Sequence, residues 1–259
     1  MGDPEYALYY WPGIQGRGEF VRLALEEAGA SYVDVARLPR SKGGGVEAIL
    51  RVLRGDLGPH LPFAPPVLRA GEVVVAQTAA ILHFLGPRLG LVPRAPELRL
   101  WAHQLQLTIT DLVAETHDTH HPVAVSLTYE EQRAESARRA AYFTAERLPK
   151  FLGYFERVLD AGGGRHALGR RFSYVDLSLF QVLEGLRYAF PLTMGTLAPR
   201  IRRLSALAEQ VRMRPRVAAY LESPRRLPFS TEDVFRYYPE LEAATPEAQG
   251  RRRTRGRRS

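Results

Sequence analysis

The chain has 259 residues, 45% hydrophobic and 25% charged, enough to bury the core of one large domain or two small ones. It contains no cysteine, which excludes disulfides, a thiolate nucleophile and Cys-ligated metals together. The net charge of +8 belongs to one end: residues 251–259 carry six arginines and no acid, and the remainder holds 30 basic against 28 acidic residues. Attraction for nucleic acid is therefore confined to that tail, a like-charge block of the kind that stays disordered. No apolar run reaches the roughly 18 residues of a membrane span. Met1-Gly2-Asp3-Pro4-Glu5 lacks a signal peptide's basic and apolar regions, so a cytoplasmic protein without membrane contact is expected.

Residues 6–10 read as a strand that ends in Tyr9-Tyr10 and feeds the turn Trp11-Pro12-Gly13-Ile14-Gln15-Gly16-Arg17-Gly18. A helix is expected over 19–28, stopped by Gly29, and a second strand over 31–35. Residues 37–61 are poorly patterned, with a short helix expected over 46–53. A hairpin follows, 66–69 and 72–75 about the turn Ala70-Gly71, and then a helix from Gln77 to Gly86-Pro87. The order β-α-β-(α)-β-β-α matches a thioredoxin-like half. No strand pattern recurs after it. Helices are expected over 96–119, 129–159, 174–188, 199–211 and 215–221. Thr128-x-x-Glu131 and Ser173-x-x-Asp176 have capping-box spacing, and Phe172 and Leu177 stand at staple positions around the second. The expected fold is an α/β N-terminal thioredoxin-like domain over 1–88, an all-α helical domain over 96–235, and a tail over 240–259.

Four features, in this order and at these spacings, make residues 6–229 resemble a cytosolic glutathione S-transferase of the tyrosine type (mu, pi or sigma). They are Tyr10-Trp11-Pro12 before Gly16-Arg17, the segment Pro65-Pro66-Val67-Leu68 where the family has its cis-proline, Gln77-Thr78 where it has Gln-Ser, and Ser173-x-x-Asp176. The first turn is one residue longer than the commonest form.

The resemblance implies conjugation of the glutathione thiolate to small hydrophobic electrophiles, with glutathione as co-substrate and no metal. A glutathione thiol has a pKa of about 9, so roughly one molecule in a hundred is thiolate at pH 7. A hydrogen-bond donor aimed at the sulfur favours the charged form, and a tyrosine keeps its proton at neutral pH. Some classes of the family use Cys here, and the chain has none. Others use Ser, but the first serine is Ser31. Tyr6, Tyr9 and Tyr10 remain, and Tyr10 matches the motif position. Strand alternation turns Tyr9 away from whatever Tyr10 faces.

By the same resemblance, Gln77 and Thr78 at a helix start suit the γ-glutamyl carboxylate, where free N–H groups favour an anion. Trp11 and Arg17 correspond to glutathione contacts on the first turn. Asp111 corresponds to a carboxylate offered by the neighbouring subunit, implying a homodimer. The residue before the cis-proline normally exchanges backbone hydrogen bonds with the cysteinyl part of glutathione; here it is Pro65, which has no N–H. The family's Trp and Lys clamp for the glycine carboxylate is reduced, because residues 37–64 hold no Trp and only Lys42, with Arg40 as the alternative. The electrophile pocket is expected at Ile14, His117 and His121. In His117-Asp118-Thr119-His120-His121 the outer pair shares a helix face, but no second carboxylate-histidine set accompanies it, so a substrate-lining or solvated role is expected and no metal. Gly13, Gly16 and Gly18 do not fit dinucleotide-binding spacing. Pro65 and the missing Trp also keep open a non-catalytic binding or scaffold protein on the same fold, with the arginine tail recruiting nucleic acid.

Overall fold

A computed structural model describes residues 5–243. Four strands, β1 Tyr6–Tyr9, β2 Tyr32–Asp34, β3 Val67–Ala70 and β4 Val73–Ala76, form one sheet in the order β2-β1-β3-β4. β1 and β2 run parallel, and the other two pairings are antiparallel. The parallel pair is joined through helix α1, Gly18–Ala28, which ends where Gly29 adopts φ 66° and returns its N–H to the last turn. Helices α2, Val46–Leu53, and α3, Thr78–Arg88, complete this part. The hairpin turns at Gly71-Glu72, one residue later than expected, because Ala70 still pairs with Val73 and Gly71 takes the positive φ.

Strand alternation sorts β1 between two cores. Tyr6 and Leu8 pack with Val21, Leu25, Leu68, Ile81 and Leu85 beneath α1 and α3. Ala7 and Tyr9 face the other way, against Ala48, Val52 and Val67. Tyr9 thus belongs to the α2 side of the sheet.

Every strand described precedes residue 77, and the regular elements after it are helices, joined by loops that hold two isolated bridges, His166 with Gly169 and Leu168 with Arg171. α4 is Pro96–His117, with proline in its first turn, where a missing N–H costs nothing. The single helix expected over 129–159 is instead α5, Arg133–Tyr142, a π-turn Phe143–Arg147, and α6, Leu148–Ala161. Pro149 has no N–H to bond the carbonyl four residues back, and the wider turn lets the helix continue past that gap. α7, Tyr174–Ala189, is buried on nearly all faces, packed on α1, α4 and α9, and forms the centre of the helical core. Its start has the expected capping box: the Ser173 amide donates to Asp176 Oδ2 at 2.7 Å, and Asp176 also accepts the Ala167 amide at 2.8 Å. α8, Pro191–Leu197, lies between the expected helices, with its proline at the helix start, where a missing N–H costs nothing. α9, Arg202–Arg212, and α10, Pro215–Leu221, follow.

Residues 240–243, expected to belong to the tail, lie in α11, Pro239–Ala243, with Leu241 buried against the helical core. The arginine-rich segment 251–259 lies outside the described residues. Among the described residues, no helix is long and apolar enough to cross a membrane.

Candidate active site

The sheet register brings the sequence-predicted residues to one end. Tyr9 stands opposite Val67, and Val67 opposite Ala76, so the next residues along, Tyr10, Pro66 and Gln77, meet just beyond the strands. The peptide bond between Pro65 and Pro66 is cis, as expected for that segment. Pro66 is buried and Pro65 half-buried, and neither offers an N–H.

Tyr10 is folded back under the glycine turn. Its ring lies so close to Gly18 that a Cβ there would stand 2.6 Å from Tyr10 Cγ. At Gly16, where φ is +46°, an added Cβ would stand 2.0 Å from the hydroxyl. The two glycines are therefore the space in which the tyrosine sits. Its hydroxyl accepts the backbone N–H of Arg17 at 2.8 Å. Among the described residues, no acceptor takes the hydroxyl's own proton, so Tyr10 keeps one donor to offer. Burial pushes its pKa up to about 12, against the opposing pull of the Arg17 amide. At neutral pH the group is a proton donor that stays protonated.

The Arg17 backbone is held from both sides. Its N–H goes to Tyr10 Oη, and its carbonyl accepts the Thr78 hydroxyl at 3.3 Å. The Thr78 hydroxyl is thus a clip between the first turn and α3, and it is the N–H groups of α3's first turn that are free of helical partners. Gln77 precedes that turn, exposed, with φ 69° and ψ 122°; it is the one described non-glycine residue with positive φ. Such a conformation costs on the order of 1–3 kcal/mol and concentrates at functional sites. Trp11 is half-buried at the strand's end.

Four residues absent from the sequence expectation hold this turn. Asp233, buried near the end of the described chain, accepts the amides of Gln15 at 3.1 Å, Gly16 at 2.8 Å and Val234 at 2.6 Å. Burial raises its pKa against those three amide bonds, and its charge in turn adds to the raised pKa of Tyr10. Arg22, fully buried, spans Asp34 at 2.7 Å, Glu19 at 3.1 Å and the Gln15 carbonyl at 3.0 Å, with its Cζ 5.6 Å from the centre of the Tyr10 ring. Glu19 also accepts the Tyr220 hydroxyl at 2.6 Å and pairs with Arg226. Burial alone would raise the Glu19 pKa, but Arg226, Arg22 and Tyr220 outweigh it and hold the carboxyl below its usual range. Gln15 joins the helical part through Gln181, whose side-chain amide donates to Gln15 Oε1 at 2.8 Å. One signal for this network exists in the sequence: Arg22 interrupts the apolar run Phe20 to Leu25, one helical turn after Glu19, which precedes it. Asp233 follows a stretch with no readable pattern.

The remaining expected residues are dispersed. Arg40 and Lys42 lie exposed in the short turn Arg40–Lys42, and among the described residues no contact joins Lys42 to the Tyr10 group. Asp111 projects from the exposed side of α4. Ile14 is half-buried on the first turn. His117 and His121 stand at the end of α4 with rings stacked 5.1 Å apart, and the structure adds His120, whose Nδ1 lies 2.6 Å from Nδ1 of His121. His120 Nε2 donates to the carbonyl of Val234 at 2.9 Å, the residue after Asp233. Burial first, then the charge of Arg17, lowers the pKa of His117, which brings the histidine cluster and the first turn into one electrostatic neighbourhood.

The family model described as the C-terminal domain of glutathione S-transferase matches residues 117–224. The chain is 26% identical to glutathione S-transferase P 1 of Xenopus laevis over 86% of its own length and 94% of that protein's. It is 27% identical to glutathione S-transferase P of Bos taurus, over 86% and 95%. Among solved structures, prostaglandin synthase D of Nilaparvata lugens has the same fold at a TM-score of 0.65 and 21% identity, covering 87% of this chain and 100% of that one. The Pi-class glutathione S-transferase of Onchocerca volvulus superposes at a TM-score of 0.64 and 21% identity, covering 84% and 92%.

Proposed function

Because the chain belongs to the cytosolic glutathione S-transferase family, we propose that it transfers glutathione to small apolar electrophiles, with Tyr10 as the donor that stabilises the thiolate. The observation that carries this reading is the Tyr10 hydroxyl: it accepts the Arg17 N–H at 2.8 Å and leaves its own proton unclaimed. A donated hydrogen bond to an anion is worth about 1.5–3 kcal/mol, enough to lower a thiol pKa by one to two units at about 1.4 kcal/mol each. The accepted amide bond polarises the hydroxyl and strengthens that donation. Tyr10 acts as a fixed electrostatic partner and forms no covalent intermediate.

The γ-glutamyl carboxylate is assigned to the first turn of α3 and to Gln77, with Trp11, Arg17, Pro65 and Pro66 lining the peptide and Lys42 or Arg40 near the glycine end. Ile14, His117 and His121 form the electrophile side. A homodimer is part of the reading: Leu100, Leu107 and Asp111 share a stripe of α4, and Leu100 and Leu107 are 68% and 47% exposed. The test compares wild type with Tyr10→Phe for thiolate absorbance of bound glutathione and for conjugation of a chromogenic aryl halide. Both should fall by about tenfold or more; equal thiolate formation in the two proteins overturns the assignment.

A second reading, glutathione-transferase-like binding without catalysis, is favoured by Pro65, which has no amide for the cysteinyl backbone. Retention on glutathione resin with no conjugation of any electrophile would select it.

A further inference from the structure

We propose that His117, His120 and His121 form a binding site for a borderline divalent cation of the zinc type. One ring nitrogen from each histidine lies within 4.8 Å of the other two. Zinc holds imidazole nitrogens at 2.0–2.1 Å in tetrahedral array, which sets them about 3.3–3.4 Å apart. The 2.6 Å contact between Nδ1 of His120 and Nδ1 of His121 is closer than that and the overall spread is wider, so the rings must turn for the three nitrogens to share a centre.

The hydrogen bonding of His120 already suits a ligand. Its Nε2 faces the Val234 carbonyl, which can only accept, so the ring proton is on Nε2 and the Nδ1 lone pair points at His121. A backbone carbonyl fixing the tautomer of a histidine in this way is the usual outer support of a metal ligand. In the metal-free form, His121 Nδ1–H donates to that lone pair. On binding, the His121 proton moves to its own Nε2, both Nδ1 atoms turn lone pairs inward, and the cation replaces the shared proton without net proton release. The Asp118 carboxylate, 3.6 Å from His117 Nδ1, offers a countercharge, while Arg17 faces His117 and Arg236 faces His120 and His121. Three protein nitrogens leave one coordination position for water.

The sequence shows the His117–His121 pair, which was expected to hold no metal because no second carboxylate-histidine set accompanies it; His120 joins the pair through the turn after α4 and the bond to Val234. The site shares His117 and His121 with the side assigned above to the electrophile, and its test reads zinc uptake rather than glutathione chemistry.

It is tested on the untagged full-length chain, stripped of metal by a chelator and titrated with zinc chloride against a chromogenic zinc indicator. Wild type should take up one zinc per chain. His117→Ala and His121→Ala, both at half-buried positions, should each weaken uptake at least about tenfold. His83→Ala, which removes half of the separate His83–His103 pair with rings 4.8 Å apart, should leave it unchanged. Failure of wild type to compete for zinc, wild-type affinity in both cluster variants, or loss of uptake in His83→Ala each overturns the proposal. Should the cluster variants misfold, the visible absorption of cobalt-substituted wild type decides: an intense four-coordinate spectrum supports the site and a weak six-coordinate one overturns it.

Discussion

Tyr10 Oη sits 2.8 Å from the Arg17 amide, and the tyrosine ring fills the room that Gly16 and Gly18 leave by having no side chain. The turn and the hydroxyl are therefore one device: the glycines admit the ring, and the peptide beyond them fixes the oxygen. Alanine at position 18, the start of α1, should help a helix by about 1 kcal/mol on intrinsic preference alone. Its Cβ would stand 2.6 Å from Tyr10 Cγ and 2.7 Å from Cδ1, however. Overpacking of this kind costs about 1–3 kcal/mol and displaces the ring. Gly18→Ala is thus expected to lower the urea midpoint and to reduce conjugation, with more of the loss in kcat than in KM for glutathione. An unchanged or raised midpoint would show that Tyr10 is not seated against this glycine.

Arg22 supports the same device from below, and its removal should be more damaging than any exposed charge on the chain. In Arg22→Met, Glu19 and Asp34 lose their buried partner, and Gln15 loses the donor to its carbonyl. Stranding a buried charge costs about 3–5 kcal/mol. Glu19 retains Arg226 and Tyr220, which places the expected loss toward the lower end. Chemical denaturation of Arg22→Met, of Glu19→Gln and of the two combined measures the coupling. A combined loss smaller than the sum of the separate Arg22→Met and Glu19→Gln losses is expected, because each variant removes one side of the same pair; strict additivity of the two losses would contradict the pairing.

The parts of this site that could be read in the sequence are those whose chemistry depends on local spacing. Tyr10, the Pro65-Pro66 bend and the Gln77-Thr78 helix start each lie beside the element that positions them, so the family resemblance could single them out from local motifs. Asp233 and Gln15 were not legible, because the bond between them joins positions 218 residues apart and neither carries a local pattern. Thr78 was read as a glutathione contact; the bond from its hydroxyl to the Arg17 carbonyl was not legible, since only tertiary structure brings the two together. The same division holds for the fold. Helix α2 spans the residues expected for it within an otherwise poorly patterned stretch, while the break between α5 and α6 depends on how a helix absorbs Pro149.

Asp176 gives the fold a pH dependence whose sign follows from burial. Loss of hydration outweighs the amides of Ala167 and Ser173 and the Ser173 hydroxyl, and raises its pKa from the ordinary 3.8 to about 6. The folded state therefore holds this proton more tightly than the unfolded chain. The contribution is fully present below about 3.8 and is lost as pH rises through about 6. Two units correspond to roughly 3 kcal/mol at the limit. Asp176→Asn keeps one side-chain oxygen as an acceptor and does not titrate. The difference in urea midpoint between wild type and Asp176→Asn should therefore shift in wild type's disfavour across pH 4 to 6. A difference independent of pH would mean that Asp176 is ionised throughout.

Pro65 decides how firmly the proposed substrate is held. The register of β3 against β1 sets the residues before Val67 beside Tyr10 and Trp11, where the cysteinyl backbone of glutathione would lie if Tyr10 meets its sulfur. At that point the chain offers the Pro65 carbonyl as an acceptor but no donor. Pro65→Ala supplies an N–H while leaving Pro66, the preceding Ala64 and the sheet pairing of Val67 in place. One added backbone hydrogen bond is worth about 0.5–1.5 kcal/mol, so Kd for glutathione should tighten by roughly two- to tenfold. The gain is expected in binding, with kcat nearly unchanged, because the new bond forms in ground state and transition state alike. Titration calorimetry with glutathione, beside steady-state kinetics, separates the two quantities. A Kd that stays the same or weakens would mean that the peptide does not run along this edge, and Tyr10 would then have no thiol within reach.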